Sequence, residues 1–475
     1  MIATESMTAA SRIEHDFLGE RAIPAEAYYG IQTLRALENF HITGIPLKAE
    51  PLFVQALAFV KKGAALANRD LGVLDPKLAG YIAQACDRVM TGELDDQFLT
   101  DMIQGGAGTS VNMNANEVIA NVALELMGKQ KGQYEFCHPN NHVNCSQSTN
   151  DAYPTAFRIA LNNKLQSYRD ALALLADAFA AKGEEFRNVL KMGRTQLQDA
   201  VPMSMGDEFK AFATNLREEL LRIDDSRRLI SEINMGATAI GTRVNAPEGY
   251  AELVTEHLRD ITGLELVLAG DLIEATYDTG AYVQLSGVLK RTAVKLSKIC
   301  NDLRLLSSGP RTGINEINLP PLQPGSSIMP GKVNPVIPEV VNQTAFYVIG
   351  ADLTVTMAAE AGQLQLNVME PVISFALFTS ISYMTNACHT LREKCVVGIT
   401  ANARHAEDLV RNSVGIVTQL NPVLGYETSA EIAREALKTG KSVYQIAVVE
   451  RQLLSQAKWD EIFTFENLIR PHFIQ

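Results

Sequence analysis

The sequence predicts a mainly all-α protein built around a bundle of long helices. Hydrophobic residues make up 47% of the 475 residues but aromatic residues only 7%, so the core should be aliphatic and alanine-rich, which suits closely packed helices. Four long stretches lack the Gly and Pro residues that end helices. Each is longer than the average helix, so one short partner cannot cover its apolar stripe, and we expect helix-on-helix packing between subunits as well as within one.

The four predicted helices follow one another in the central part of the chain. The first runs from Thr155 to Lys182 and repeats its apolar side chains at a spacing close to the 3.6-residue period of an α-helix. The second, residues 207–235, repeats them at intervals of three or four. Residues 288–308 and 372–397 complete the set. The spacing predicts one continuous apolar stripe on each of the first two helices.

Changes in composition suggest three domains. Gly and Pro are dense between Gly309 and Pro338, so this segment is expected to be irregular and, inside a helical protein, functional. We predict an N-terminal domain over residues 1–147, a central long-helix domain over residues 148–398 and a small helical C-terminal domain over residues 399–475.

The charge and the cysteines exclude several classes of protein. A formal net charge of -12 argues against nucleic acid and anionic membranes as partners. The six cysteines are too scattered for a disulfide scaffold. The sequence shows no signal peptide and no run of about 20 apolar residues, the length that spans a membrane. We therefore expect a reduced, cytoplasmic protein.

Four polar clusters each precede a helix. Hydroxyl and amide side chains at such places ordinarily cap the helix, which is a purely structural role. Helix N-termini surrounded by Gly and hydroxyl groups also bind anions, so four together suggest a small anionic ligand, with two carboxylates as one possibility. The residues alone leave both interpretations open. The clusters are GGAGTSVNMNANE (Gly105–Glu117), CSQSTNDAYPT (Cys145–Thr155), GRTQLQDA (Gly193–Ala200) and GSSIMPGKVNP (Gly325–Pro335).

Other catalytic and binding motifs do not fit. The chain has no phosphate-binding GxxxxGK[ST] loop and no GxSxG nucleophile elbow, and its glycine cluster lacks the strand–helix setting of a dinucleotide fold. His138 and His142 lie between Cys137 and Cys145, but Pro139 breaks their helical spacing. No second pair of ligands has a zinc-like separation, so no metal site is expected.

The fourth cluster, GSSIMPGKVNP, resembles the signature loop of the aspartase/fumarase superfamily. The segments GGAGTSVNMNANEV, STNDAYPT, MGRTQLQDAVP and DLIEATYDTGAYV resemble its aspartase branch, whereas fumarases typically have serine in place of Thr149 and histidine in place of Gln196. The likeness extends to RIEHDFLGERAIPAEAYYGIQTLRA and AAEAGQLQLNVMEPVI and so covers nearly the whole chain. The alternatives are a fumarate hydratase or another lyase of the superfamily, and a catalytically silent structural relative.

The resemblance implies reversible anti-elimination of ammonia from L-aspartate to give fumarate. A base removes a Cβ proton, and the neighbouring carboxylate becomes an enediolate (an aci-carboxylate) that preorganised donors must stabilise. By position in the family pattern, Ser326 is the general base. The implied ligands are Lys332, Asn334 and Thr195 for the α-carboxylate, Thr109, Ser148, Thr149 and Ser327 for the β-carboxylate, and Asn150 for the amino group.

Gln196 is the informative departure within the substrate-binding set. Fumarases have a histidine there, paired with a carboxylate that matches Glu339. Hydroxide needs a proton donor in order to leave, whereas ammonium already carries its proton, so a glutamine is compatible with an amine leaving group. This puts a histidine–glutamate relay in doubt and leaves Glu339 without an assigned role.

The resemblance also implies how the chains assemble. In the family, four subunits share one helical bundle, and each active site takes segments from three chains. Residues 320–338 contain the loop that acts as a lid. The resemblance implies no cofactor; it allows activation by a divalent metal such as Mg²⁺, although no dedicated ligand cluster is evident.

Overall fold

The computed structural model describes residues 10–470 and confirms the predicted fold class, because helices dominate it. None of the helices within that range is long and apolar enough to cross a membrane. The α-helices are α1 (Ile31–Asn39), α2 (Pro51–Asp70), α3 (Pro76–Met90), α4 (Thr109–Leu126), α5 (Thr149–Glu185), α6 (Met205–Ile230), α7 (Tyr250–Thr262), α8 (Glu274–Tyr277), α9 (Gly280–Leu306), α10 (Val336–Glu360), α11 (Glu370–Lys394), α12 (Ala403–Asn412), α13 (Asn421–Leu424), α14 (Tyr426–Thr439), α15 (Gln456–Ile462) and α16 (Phe465–Ile469).

The strands form four small two-stranded sheets. Three pairs are antiparallel, and the pair between the fifth and sixth strands is parallel. The pairs are β1 (Ser11–Asp16) with β2 (Gly19–Pro24), β3 (Leu190–Thr195) with β4 (Gln198–Ser204), β5 (Glu232–Ile233) with β6 (Val267–Leu268), and β7 (Ile317–Asn318) with β8 (Thr400–Ala401).

The chain forms two compact units, each built from three separate segments. Unit 1 contains the residues up to Arg169, Leu221–Arg291 and Tyr347–Tyr383. Unit 2 contains Asp170–Leu220, Thr292–Phe346 and the residues from Met384 onward. The long helices contribute residues to both units. The division of the chain at residues 147 and 398 stays a prediction.

The core of unit 1 contains a cluster of aromatic rings where α2, α5 and α11 meet. Phe53 of α2 lies edge-on to Tyr153 of α5, with ring centres 5.3 Å apart, and 5.2 Å from Phe378 of α11. The Tyr153 hydroxyl lies 2.9 Å from that of Ser374, so its one polar atom is satisfied inside the core. These contacts hold the first turns of α5, which begin with predicted site residues, against a rigid support.

Unit 2 has a second core, formed by the C-terminal helices. Trp459 stacks on Phe463 with ring centres 3.9 Å apart, and both belong to a buried cluster that also contains Leu190 and Met192 of β3. The β3–β4 hairpin is therefore packed on the C-terminal helices, and this fixes one strand of the GRTQLQDA cluster.

The first long helix is longer than its periodicity predicts. The sequence predicts that it begins at Thr155, directly after Pro154, but α5 begins at Thr149 and contains that proline. A proline inside a helix deprives the carbonyl four residues earlier of its usual N–H donor. Here that carbonyl belongs to Asn150, and the Asn234 side-chain amide donates to it at 3.0 Å. This replacement donor accounts for the continuation of the helix through Pro154.

The breaker-rich segment is irregular over most of its predicted length. It contains only the short strand β7 before α10 begins at Val336. Pro338 is the third residue of that helix, where a proline is tolerated because the first N–H groups of a helix have no partner inside it.

Candidate functional site

The N-terminus of α4 is preceded by three residues with positive φ. Gly106, Ala107 and Gly108 have φ of 97°, 56° and 92°. At Gly108 a Cβ atom would lie 2.3 Å from the Tyr153 ring, so both the backbone conformation and the close approach require glycine. The turn leaves Thr109 exposed as the first residue of α4, with its hydroxyl donating to the Gly106 carbonyl at 2.8 Å.

The N-terminus of α5 carries three predicted site residues in succession. The Ser148 hydroxyl accepts the Asn150 N–H at 3.2 Å, so Ser148 also caps the helix. The Asn150 side-chain amide donates to the Ala239 carbonyl at 2.7 Å, and in the described part of the chain no donor is seen for its Oδ1, which can therefore act as an acceptor. Ser148, Thr149 and Asn150 are all half-buried. An acceptor at Asn150 is suited to an ammonium group.

The side chain of Asp151 holds this turn in place through hydrogen bonds to the backbone. Its buried carboxylate accepts backbone N–H groups from Ser148, Gly236 and Thr238 at 2.9, 3.1 and 2.9 Å. Burial raises the pKa of Asp151 to about 6, and the three N–H donors oppose the rise. The carboxylate thereby ties the start of α5 to residues 236–238.

A buried amide network lies behind Thr149. Asn112 of α4 donates its side-chain N–H to the Thr149 hydroxyl at 3.1 Å and accepts from the Lys61 ammonium at 2.6 Å. The same ammonium donates to Asn144 Oδ1 at 3.0 Å and Gln147 Oε1 at 2.8 Å. The predicted site residues did not include Lys61, Asn112, Asn144 or Gln147.

The third cluster forms the turn of the β3–β4 hairpin. Thr195 pairs with Gln198, and the two residues between them, Gln196 and Leu197, have φ of 54° and 63°. A two-residue turn of this kind favours glycine or asparagine, so the left-handed conformation is a strained one for glutamine and leucine. The turn leaves Thr195 and Gln196 exposed at its tip.

Buried charges anchor this hairpin. Arg194 Nη1 donates to Glu316 Oε1 at 2.8 Å, and the Lys191 ammonium lies 3.3 Å from Glu316 Oε2 and 2.5 Å from Glu208 Oε2. Glu316 is fully buried and lies next to β7, the strand before the fourth cluster. Glu316 therefore connects the hairpin to the segment that leads into the GSSIMPGKVNP loop.

The fourth cluster folds into a small closed loop. The Gly325 N–H donates to the Lys332 carbonyl at 2.7 Å, and the Asn334 side chain donates to the Gly325 carbonyl at 2.8 Å. A Cβ atom at Gly325 would lie 2.8 Å from the Lys332 carbonyl oxygen, so this closure requires glycine.

Ser326 has the most unusual environment in this loop. Its hydroxyl oxygen accepts backbone N–H groups from Ile328 at 3.2 Å and Met329 at 3.1 Å. Two such donors stabilise negative charge on the oxygen and favour the alkoxide. Ser326 is half-buried, whereas Ser327 and Lys332 are exposed.

The structure places the predicted site residues in two groups, and their roles stay predictions. Glu339, half-buried in the first turn of α10, gains no role from its contacts. Unit 1 contains Thr109, Ser148, Thr149 and Asn150, and unit 2 contains Thr195, Gln196, Ser326, Ser327, Lys332 and Asn334.

The two histidines that lie between Cys137 and Cys145 accept backbone N–H groups with their side chains. His138 Nδ1 accepts the N–H groups of Asn140 and Asn141, and His142 Nδ1 accepts the His138 N–H at 2.8 Å. Across residues 10–470 no three His, Cys, Asp or Glu side chains are grouped as metal ligands. That the protein has no dedicated metal site stays a prediction.

Comparison with known proteins gives a consistent result. A family profile described as lyase matches residues 19–350, and one described as fumarase C C-terminus matches residues 416–470. The aspartate ammonia-lyase of Pseudomonas aeruginosa is 60% identical over 470 residues, which cover 99% of each chain. That of Helicobacter pylori is 59% identical over 461 residues, which cover 97% of this chain and 98% of the relative.

A solved structure agrees with these relatives. The crystal structure of a fumarate lyase:delta crystallin from Brucella melitensis, bound to cobalt, has a TM-score of 0.94 and 53% sequence identity. The match covers 97% of this chain and 99% of that one. The fold and nearly the full length of the chain are therefore shared with these proteins.

Proposed function

The chain belongs to the aspartase/fumarase family of lyases, and on that basis we propose that it catalyses the reversible elimination of ammonia from L-aspartate to give fumarate. The chain is a carbon–nitrogen lyase acting on a small-molecule substrate. The observation that carries the proposed mechanism is the pair of backbone N–H groups on the Ser326 oxygen, because they make a serine alkoxide accessible as a base.

The reaction begins with transfer of the Cβ proton to the Ser326 alkoxide. The electrons of the C–H bond move into the β-carboxylate and form a dianionic enediolate. Those electrons then form the C=C bond as the C–N bond breaks, and ammonia leaves with the C–N pair. Ser148, Thr149 and Ser327 carry the hydroxyl donors that the enediolate requires, and Thr109 joins them when its hydroxyl turns from the Gly106 carbonyl to the substrate. Lys332, Asn334 and Thr195 bind the α-carboxylate.

The ammonium group needs no acid from the protein. Asn150 Oδ1 accepts one of its N–H bonds, because the amide nitrogen of Asn150 is already bound to the Ala239 carbonyl. Gln196 cannot act as a general acid, and departure of ammonia does not require one. We assign Glu339 no role in the reaction and propose no cofactor.

The reaction is tested by fumarate formation, followed by its ultraviolet absorbance, with L-aspartate and L-malate supplied separately to the purified protein. We expect fumarate from L-aspartate and negligible turnover of L-malate, with and without Mg²⁺. Turnover of L-malate at a comparable rate would overturn the assignment of ammonia as leaving group, and no turnover of L-aspartate in either buffer would overturn the proposed reaction.

We also propose that the active protein is a homotetramer whose sites combine segments of three chains, with residues 320–338 closing over substrate. Support comes from the apolar surface of α10. Phe346, Leu353 and Met357 lie seven and four residues apart, on one face of the helix, and are 62%, 62% and 64% exposed in the single chain. A patch of large apolar side chains in water marks an interface.

Sedimentation measures this assembly directly. The wild-type protein should sediment at four times the 51.9 kDa mass of the chain, and Leu353→Glu should yield smaller species. Leu437→Glu on α14 is the matched control, because Leu437 is 76% exposed but lies outside the long helices. Equal masses for wild type and Leu353→Glu would contradict the proposal that α10 lies in the interface between subunits.

The free cysteines support a reducing compartment. Five of the six are buried and none is paired, so the fold is complete without disulfides. We therefore propose that the protein works in the cytoplasm.

A further inference from the structure

Lys61 is a buried cation, and no carboxylate within residues 10–470 is hydrogen-bonded to it. It lies on the face of α2 that also buries Leu57 and Ala64, and its relative exposure is 0%. All three N–H bonds of its ammonium go to side-chain amide oxygens, those of Asn112, Asn144 and Gln147. A buried ammonium is costly, and an apolar side chain would fill the same space at lower cost. Packing alone therefore does not explain a lysine here.

The ammonium fixes the direction of every hydrogen bond that follows it. The three acceptors of Lys61 match the three N–H bonds of an ammonium, which can only donate. Asn112 must therefore turn its oxygen toward Lys61 and its nitrogen toward Thr149 and toward Asn144 Oδ1, which it reaches at 3.2 Å. The Thr149 oxygen therefore accepts from Asn112, and its own proton must point elsewhere. Among the residues that the structure describes, no hydrogen bond from the Thr149 hydroxyl to a protein acceptor is seen. The hydroxyl is left as a donor.

We propose that Lys61 is a positioning residue which, through Asn112, holds the Thr149 hydroxyl as a donor to the enediolate. This inference rests on the proposed function, in which Thr149 contacts the β-carboxylate. A threonine hydroxyl can otherwise either accept or donate, and a group that must reorient during the reaction stabilises developing charge less well than a preorganised one. The chain Lys61–Asn112–Thr149 removes that freedom before substrate arrives.

The charge also strengthens the donor. Hydrogen bonds in a chain polarise one another, and a charged first donor inside a low-dielectric interior gives the largest effect. The first step of the chain is short, 2.6 Å from Lys61 to Asn112, and the second, 3.1 Å from Asn112 to Thr149, has the length of an ordinary hydrogen bond. Burial lowers the pKa of Lys61 to about 7, while Asp151 opposes this shift by favouring the charged form.

A structural role makes a different prediction. Lys61 also joins α2 to Asn144 and Gln147 in the turn before α5, so it could act only as a clamp between these segments. A clamp needs acceptors for the ammonium and is indifferent to which atom of residue 112 faces Thr149. The proposed role depends on that atom.

Asn112→Asp separates the two roles. A carboxylate still accepts from Lys61, now as an ion pair, but it cannot donate to Thr149 and instead accepts the threonine proton. Lys61 keeps its three acceptors while the donor to the substrate is withdrawn. The 3.2 Å hydrogen bond from Asn112 to Asn144 Oδ1 is lost in the same variant, and the melting temperature reports that loss. Lys61→Met removes the charge, and Lys62→Met is the matched control, because Lys62 is the next residue of α2 and pairs with Asp87 at the surface.

Two ligands make the measurement specific to the transition state. Succinate is an unreactive dicarboxylate, and the nitronate form of 3-nitro-2-aminopropionate carries the charge distribution of the enediolate. Added negative charge at residue 112 weakens the binding of both ligands, whereas loss of the Thr149 donor weakens mainly the binding of the nitronate. The readouts are both dissociation constants, kcat/KM for L-aspartate and the melting temperature.

We expect Asn112→Asp and Lys61→Met each to lower kcat/KM by about 10²-fold, the loss typical of one preorganised donor. Each should also weaken the binding of the nitronate far more than the binding of succinate. Lys62→Met should change the dissociation constant of neither ligand. In a Thr149→Val background, Lys61→Met should cause little further loss.

Equal weakening of succinate and nitronate, wild-type kcat/KM in Asn112→Asp, or a full further loss from Lys61→Met in the Thr149→Val background would each overturn the inference. A wild-type protein inactive on L-aspartate would overturn the proposed function itself. An active wild type with an equally active Asn112→Asp variant would overturn only the role of Lys61.

Discussion

Replacing Ser326 with alanine should lower turnover of L-aspartate by about 10²- to 10⁴-fold, the range typical of a lost general base, while the dissociation constant of succinate changes little. The hydroxyl oxygen is the atom that two backbone N–H groups prepare to carry negative charge. Alanine leaves the glycine closure of the loop intact, because the bonds between Gly325, Lys332 and Asn334 do not involve the serine side chain. Steady-state kinetics and succinate binding measure the two effects separately.

The control for this variant is another serine that accepts a backbone N–H. Ser455 caps α15 by accepting the Lys458 N–H at 3.1 Å, so Ser455→Ala removes a comparable hydrogen bond outside the polar clusters. It should destabilise the protein by about 1 kcal/mol, the usual contribution of a helix cap, without changing turnover. If Ser326→Ala retained near wild-type turnover, Ser326 could not be the base. If it lost succinate binding to the same extent as turnover, its effect would be on the loop.

Replacing Glu316 with alanine should lower the free energy of unfolding by about 3 kcal/mol, the lower end of the range for a broken buried ion pair, because it leaves the half-buried Arg194 guanidinium without its partner. The carboxylate is fully buried and lies within 2.8 Å of Arg194 and 3.3 Å of Lys191. Glu208 still neutralises Lys191, but it makes no such contact with Arg194. Denaturant unfolding followed by circular dichroism measures the loss.

Glu407→Ala on α12 is the control for this loss. Glu407 pairs with Arg411 one turn later at the surface, and exposed pairs of this kind contribute only about 0–1 kcal/mol. Glu316→Ala should also raise KM, because Arg194 directly precedes Thr195, a proposed α-carboxylate ligand. A stability loss no larger than that of Glu407→Ala would contradict a buried electrostatic anchor.

Periodicity predicts the helices well because it reflects local geometry. It misses the start of α5, since it takes Pro154 as a boundary and cannot identify the Asn234 amide as the donor that replaces the missing N–H. It likewise treats Pro338 as part of an irregular segment, although a proline in the first turn of α10 breaks no helical hydrogen bond.

The residues of the candidate site likewise include some that the sequence predicts and some that it does not. Short contiguous motifs predict Ser326, Thr109 and their neighbours. Such motifs do not predict Lys61 or Glu316, because the contacts of these two residues are with partners distant in sequence. Asn112 is 51 residues from Lys61, and Arg194 is 122 residues from Glu316. One local signal was available for the lysine, because Lys61 falls on the apolar stripe of α2, four residues after Leu57 and three before Ala64.

Pro154 constrains the order in which substitutions at this site can accumulate. While the proline is present, the Asn150 carbonyl depends on the Asn234 amide for its donor. Losing Asn234 first would leave the backbone carbonyl of Asn150, the proposed ammonium ligand, without a donor, whereas losing Pro154 first would restore the helical N–H to that carbonyl. Substitution of Asn234 should therefore cost stability while Pro154 is present and little once Pro154 has been replaced, so the effects of the two substitutions depend on their order.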